Sequence, residues 1–317
     1  MSTDGTPIRL NRPSFQELST RFDPHQKILW CYMYPRPRAC FSVSILEELR
    51  NFQRHLERTN REGMNNGSDC PIPYVVFTSN LRNIFNLGGD LELFLRCIRG
   101  NLPEELRRYA RLCIDVLFSN FISYELPMTT FILAKGDALG GGFEAVLSGN
   151  VIVAEKTANF GLPEILFNMF PGMGAYSLLA RRIGAPQAER IILSGRVYSA
   201  AEMHEMGVVD ILAEPGEGEK AIGEYVARHA RKRSAYQAVL KVRRMIHQVE
   251  RAELDAISDI WVEAAMSLDS KDLRLMERLI KAQDRLLEES ESNGARTFPD
   301  LSGRQDQEVT TQQFPAS

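Results

Sequence analysis

Cysteine is scarce and unpatterned in this chain: Cys31, Cys40, Cys70, Cys97 and Cys113, with no C-x-x-C spacing. An odd number without a repeat indicates neither a disulfide framework nor a cysteine-built zinc site, so reduced thiols are expected. Long apolar runs are also missing, and none approaches the roughly 20 residues that a membrane span requires. The first residues, MSTDGTPIRLNRPSF, lack the basic-then-apolar order of a secretory signal, which makes a cytoplasmic location the expectation. There is no surplus of positive charge. With 38 Lys and Arg against 41 Asp and Glu, the formal charge is -3, which argues against the broad basic surface of a nucleic-acid binder. The five histidines (His25, His55, His204, His229, His247) all lie outside the glycine-rich turns, so neither a Ser-His-Asp triad nor a histidine-built metal site is suggested.

What is present suffices for a full core. The chain has 317 residues, 44% hydrophobic and 25% charged, enough for one large or two modest domains. Strand and helix patterns alternate through its first two thirds, which predicts an α/β architecture. Residues 27–34, 73–79, 128–136 and 151–155 read as strands, rich in β-branched and aromatic residues. Residues 42–60 read as a helix with Ile45, Leu46, Leu49, Phe52 and Leu56 on one face. Over 198–214, Ser199 and Glu202 have the spacing of a capping box, Gly207 stops the helix, and a strand follows. From about 217 the pattern becomes helical (217–232, 235–248, 252–267, 269–290). The last segment is polar and predicts a disordered tail. The expected organisation is therefore an extension over 1–24, a core over 25–215, a helical region over 216–290 and a tail over 291–317.

Three glycine turns carry the chemistry. ALGGGFEA (138–145) follows a strand and places Glu144 after three glycines. NFGLPEI (159–165) places Glu164 after Gly-Leu-Pro, and IFNLGGDL (84–91) ends in Asp90. Glycines uncover backbone N–H groups, so a ligand oxygen can reach them. The pattern is not a phosphate loop: it lacks the Lys-Ser/Thr of a P-loop and the spacing G-x-G-x-x-G. With no histidine beside these turns, acid–base work falls to carboxylates, with Glu144, Glu164 and Asp90 as candidates. Asp90 is better placed to cap the helix that begins at Leu91.

Together with FPGMGA (170–175), these segments, in this order and at these separations, resemble the crotonase or enoyl-CoA hydratase/isomerase superfamily over roughly residues 25–215. PRPRACFS (35–42), the Leu87-Gly88-Gly89 form of the first turn and SDIWVEAAMSL (258–268) resemble one branch, the synthases of cis-2-unsaturated fatty-acid signals known as diffusible signal factors. The resemblance implies a spiral of ββα units (the ClpP/crotonase-like fold), with C-terminal helices that build a homotrimer or a dimer of trimers. It implies an acyl-thioester substrate on acyl carrier protein or coenzyme A, and no further cofactor or metal.

By position, the backbone N–H groups of Gly89 and Gly141 would form an oxyanion hole, and Glu144 and Glu164 would share the proton transfers. Which glutamate is acid and which is base is left open. The implied reaction is dehydration of a 3-hydroxyacyl thioester to a cis-2-enoyl product, then hydrolysis to the free acid. An ordinary enoyl-CoA hydratase or isomerase, and an inactive acyl-binding homologue, are the alternatives. Candidate residues for the acyl pocket are Leu87, Gly88, Leu139, Gly140, Leu162, Met169, Phe170, Met173 and Trp261. Arg36 and Arg38 could meet a phosphopantetheine or an acidic carrier. The helix over 271–288, with Arg274, Arg278, Lys281 and Arg285 among acidic residues, reads as a surface or subunit-contact helix.

Overall fold

The computed structural model describes residues 15–67 and 69–292. The chain winds as a spiral in which successive turns place one strand in a large sheet and the next in a small one. Its elements run β1 (Leu18–Asp23), β2 (Ile28–Met33), α1 (Val43–Asn65), then β3 (Tyr74–Ser79), β4 (Ile84–Asn86), α2 (Leu91–Arg99) and α3 (Pro103–Phe121). A second turn comprises β5 (Thr129–Ala134), β6 (Asp137–Leu139) and α4 (Gly141–Leu147); a third comprises β7 (Val151–Glu155), β8 (Asn159–Gly161), α5 (Ala175–Ile183) and α6 (Ala185–Ser194). Then come β9 (Val197–Ser199), α7 (Ala200–Glu205) and β10 (Ile211–Ala213), followed by α8 (Gly218–His229), α9 (Arg233–Ile246), α10 (Arg251–Met266) and α11 (Ser270–Ser292).

The large sheet has the order β1-β2-β3-β5-β7-β10 and the small one β4-β6-β8-β9. Only the β1–β2 and β8–β9 pairs are antiparallel. Strands buried on both faces read as unbroken apolar runs, which is how 74–79 and 129–134 were legible. The side-chain alternation divides them. Leu29, Cys31, Val75, Phe77, Ile132 and Ile152 face the main core, while Ile28, Trp30, Val76, Phe131 and Val151 face a second cluster covered by Ile222 and Val226 of α8. The register aligns Trp30, Val76, Phe131 and Val151 across four strands. Each fully buried side chain of this size contributes roughly 1.5–3 kcal/mol.

Two boundaries move. The segment 1–24 contains β1, paired along its whole length with β2, so the core sheet begins at Leu18 instead of at residue 25. Its polar residues, Ser19, Thr20, Arg21 and Asp23, suit an edge strand and conceal it in the sequence. The helical region is not a separate body either, because Leu254, Trp261, Val262, Met276 and Ile280 belong to the same core cluster as the strands. The tail expected over 291–317 lies outside the described residues from 293 onward.

Candidate active site

The small sheet delivers the three glycine turns to one place, because β4, β6 and β8 lie side by side in the order in which the chain makes them. After β4, the segment 87–89 is fastened on both sides: Leu87 N donates to Ala39 O at 2.7 Å and Phe41 N donates to Gly88 O at 2.8 Å. Gly88 N donates to Asn86 Oδ1 at 2.8 Å. Asp90 caps α2, its Oδ1 accepting from Leu93 N at 3.0 Å, so its role here is structural. Tyr109, which no sequence motif singles out, ties the region together: its hydroxyl donates to Phe41 O at 2.6 Å and accepts from Asp90 N at 3.0 Å. The Gly89 amide is left with no acceptor among the described residues.

After β6, Gly140 has φ +53° and Gly141 opens α4, so the Gly141 N–H belongs to the first turn, whose donors have no helical partner. The two free amides are adjacent: a methyl group added to Gly141 would lie 3.4 Å from Gly89 N. Two of the three glycines are there because something else is close. A Cβ at Gly140 would meet Glu164 Oε1 at 2.7 Å, and one at Gly142 would meet Asn86 O at 2.1 Å. Gly142 is therefore sterically obligatory against backbone, and Gly140 is required by its positive φ as well as by the Glu164 carboxylate beside it.

Glu144, one turn into α4, is 1% exposed, and its Oε1 accepts from Met173 N at 2.8 Å and Ala175 N at 3.0 Å, at the start of α5. Glu164 lies in a single 3-10 turn, Pro163–Phe167. The residue is half-buried, but its carboxylate faces inward, and Glu144 Oε2 and Glu164 Oε2 are both buried without a hydrogen-bonding partner among the described residues. Burial raises the Glu144 pKa to about 7, against the opposing pull of the Ala175 and Met173 amides. Burial, and then the neighbouring Glu144 charge, raises Glu164 to about 8. Two carboxylates that change protonation near neutrality, beside two unpaired amides, can move protons at a carbon next to a developing oxyanion.

A cavity of about 160 Å³ holds this group. Glu144, Glu164, Gly89 and Gly141 line it, and so do Leu87, Gly88, Leu139, Gly140, Met169, Met173 and Trp261. Leu162 does not: it is fully buried in the main core, outside the lining. Phe170 likewise packs against the core outside the lining. The helix over 271–288 is also reassigned, since α11 forms a wall of the cavity through Met276, Leu279, Ala282, Gln283 and Leu286. Gln283 Nε2 donates to Leu87 O at 2.9 Å. Arg38 is occupied by Glu92 and Asp284, tying α2 to α11, while Arg36 lies over the Tyr34 ring. Among the described residues no group of three His, Cys, Asp or Glu could hold a metal ion, and no helix is long and apolar enough to cross a membrane.

Residues 67–283 match the family described as enoyl-CoA hydratase/isomerase. The chain belongs to the enoyl-CoA hydratase/isomerase family. Among curated relatives of this family member is the fatty acid oxidation complex subunit alpha of Pseudomonas syringae pv. tomato, 34% identical over 148 residues, which are 47% of this chain and 20% of the relative. The corresponding subunit of Colwellia psychrerythraea is 34% identical over 149 residues, again 47% of this chain and 20% of the relative. The match thus spans only a fifth of those longer proteins. Of solved structures, human mitochondrial delta3-delta2-enoyl-CoA isomerase superposes with a TM-score of 0.69 at 20% identity, covering 84% of this chain and 100% of its own. Pseudomonas aeruginosa DspI superposes with a TM-score of 0.64 at 21% identity, covering 86% of this chain and 99% of its own. At such identities the two structures establish a shared fold and leave the reaction to be argued from the site.

Proposed function

We propose that this protein dehydrates a 3-hydroxyacyl thioester to a cis-2-enoyl thioester and then hydrolyses it, releasing a free cis-2-unsaturated fatty acid. The observation that carries the proton chemistry is the pair of buried, unpartnered carboxylate oxygens on Glu144 and Glu164 beside the free amides of Gly89 and Gly141. The thioester oxygen sits between those amides, which stabilise the enolate formed when the α-proton leaves. Glu144, whose anion is held by two amide donors, takes that proton. Glu164, without such donors and beside the Glu144 charge, is the group that holds a proton longer and gives it to the departing hydroxyl, which leaves as water. For hydrolysis, a water between the glutamates attacks the carbonyl carbon. The tetrahedral intermediate collapses with loss of the thiolate, and the proton taken from the water passes to the sulfur.

The acyl chain occupies the apolar part of the cavity, walled by Trp261, Met276 and Leu279, with the thioester on acyl carrier protein or coenzyme A and no other cofactor. The finer assignment, cis geometry and release of a signalling acid, rests on the motif resemblance at 35–42, 84–91 and 258–268. A homotrimer or dimer of trimers is supported by α9, none of whose residues is buried and which exposes Val239, Val242, Met245 and Ile246. The test is to incubate the pure protein with a 3-hydroxyacyl carrier protein and follow olefin geometry and free acid by mass spectrometry. A cis-2 acid in solution is expected. A trans-2 thioester with no free acid would instead mark an ordinary enoyl-CoA hydratase.

A further inference from the structure

A second cavity, of about 270 Å³, shares no lining residue with the first. It opens where the ends of α4 and α5 meet α9, and its charge is one-sided: Arg181, Arg182, Arg243 and Arg244 line it, with Asp210 as the sole carboxylate among the lining residues. Two of the arginines are neutralised. Arg181 makes a paired bond to Glu253 at 2.8 and 2.7 Å, and Arg182 bonds Asp210. The other two have no carboxylate partner among the described residues. Arg243 donates to Asn150 O at 2.7 Å and Arg244 to Ser123 Oγ at 2.9 Å, one bond each from guanidinium groups that carry five donors.

The bland explanation is that cations favour helix C-termini, and Arg243 and Arg244 do sit in the last turn of α9. It does not account for their direction, because both side chains reach off their own helix, Arg243 to Asn150 at the cavity wall and Arg244 to Ser123 behind it. Nor does it account for their electrostatics. Although neither residue is buried as a whole, partial desolvation of the guanidinium groups at the cavity holds both pKa values below their ordinary range, with Arg182 adding repulsion at Arg243. Positive charge is thus gathered in a partly desolvated space without matching negative charge, an arrangement that an anion stabilises.

We infer that this cavity binds a small oxyanion of the phosphate or diphosphate type, held by the Arg243 and Arg244 guanidinium groups. The planar fork of arginine suits two oxygens of such a group, and the volume admits it together with several waters. No part of this inference depends on the reaction proposed for the glutamate site.

The test uses the full chain and two inorganic probes, phosphate and diphosphate, titrated calorimetrically at constant ionic strength. A saturable heat is expected for the wild type, with affinity roughly tenfold or more weaker in Arg243→Gln and in Arg244→Gln. Should either variant fail to fold, arginine modification of the native wild type by phenylglyoxal, mapped by mass spectrometry, decides the matter. Phosphate should protect Arg243 and Arg244. A response that stays linear in salt and is equal in the variants, or modification of both arginines at an unchanged rate with phosphate present, would sink the inference. So would a drop in light-scattering mass caused by Arg243→Gln, because the charge would then be answered by a carboxylate of a second copy.

Discussion

Two amide hydrogen bonds, from Met173 and Ala175, separate Glu144 from Glu164 electrostatically. Their consequence is a division of labour that isotope exchange can read. Glu164→Gln should keep exchange of the substrate α-proton with solvent deuterium while losing dehydration by about 10²–10⁴-fold, whereas Glu144→Gln should lose both. With a base at about 7 and an acid at about 8, kcat/KM should peak between those values. It should fall about tenfold per pH unit on either side, since below the peak the base is protonated and above it the acid has lost its proton. Stability should move the other way. Both carboxyls bind protons more tightly folded than unfolded, so they stabilise the fold at low pH, and that contribution is lost as pH rises from about 4.5 towards about 8. Glu164→Gln should therefore gain in Tm over the wild type across this window, a gain measurable by thermal melts at pH 5 and pH 8 and opposite in sign to its loss of activity. The sequence showed the glutamates and glycines of the site but not this asymmetry, which arises from α5 amides placed by tertiary contact. Tyr109 was invisible for the same reason: a tyrosine on an apolar helix face carries no mark of the two backbone groups its hydroxyl will join.

At the scale of elements, the strands were legible because apolar runs flanked by turn residues leave few other readings. The wall formed by α11 was not. Met276, Leu279, Gln283 and Leu286 recur at helical spacing, but the charges around them mask the stripe, and mixed charge reads as a surface or subunit-contact helix. Those charges are partly fasteners. Arg99 reaches Glu277 in an exposed pair and Arg38 reaches Asp284 in a part-buried one whose carboxylate is still open to water, so each is worth about 0–1 kcal/mol. Arg38→Ala should accordingly leave the global Tm within about 1 kcal/mol of unfolding free energy while raising amide exchange along α11, and salt should mimic the effect in the wild type. Gly142→Ala belongs to this scale as well. Its methyl would meet Asn86 O at 2.1 Å and force β4 and α4 apart, so it should cost on the order of 2–4 kcal/mol in chemical denaturation. It should also abolish turnover with both glutamates intact.

For the whole molecule, α9 is the element on which the proposed oligomer rests. Met245 is 71% exposed and Ile246 66%, beside Val239 and Val242, an apolar stripe that the proposed subunit contact would cover. Met245→Glu should reduce the mass seen by light scattering to that of a monomer, while the circular dichroism of the spiral stays unchanged. The two-thirds, one-third division of the chain into strand-bearing and helical parts was readable from periodicity. That both parts share one core was not, because packing partners distant in sequence leave no local pattern. The winding of the spiral also fixes an order of assembly. The three turns that build the site leave the ribosome one after another and are complete by Ala175, but α11 begins only at Ser270. A chain growing from its N-terminus therefore spends about ninety-five residues of synthesis, several seconds at ordinary rates, with the glutamate cavity open along one side. During that interval the nascent protein is a hydrophobic trough, and α11, the last of the described helices to emerge, is the one that closes it.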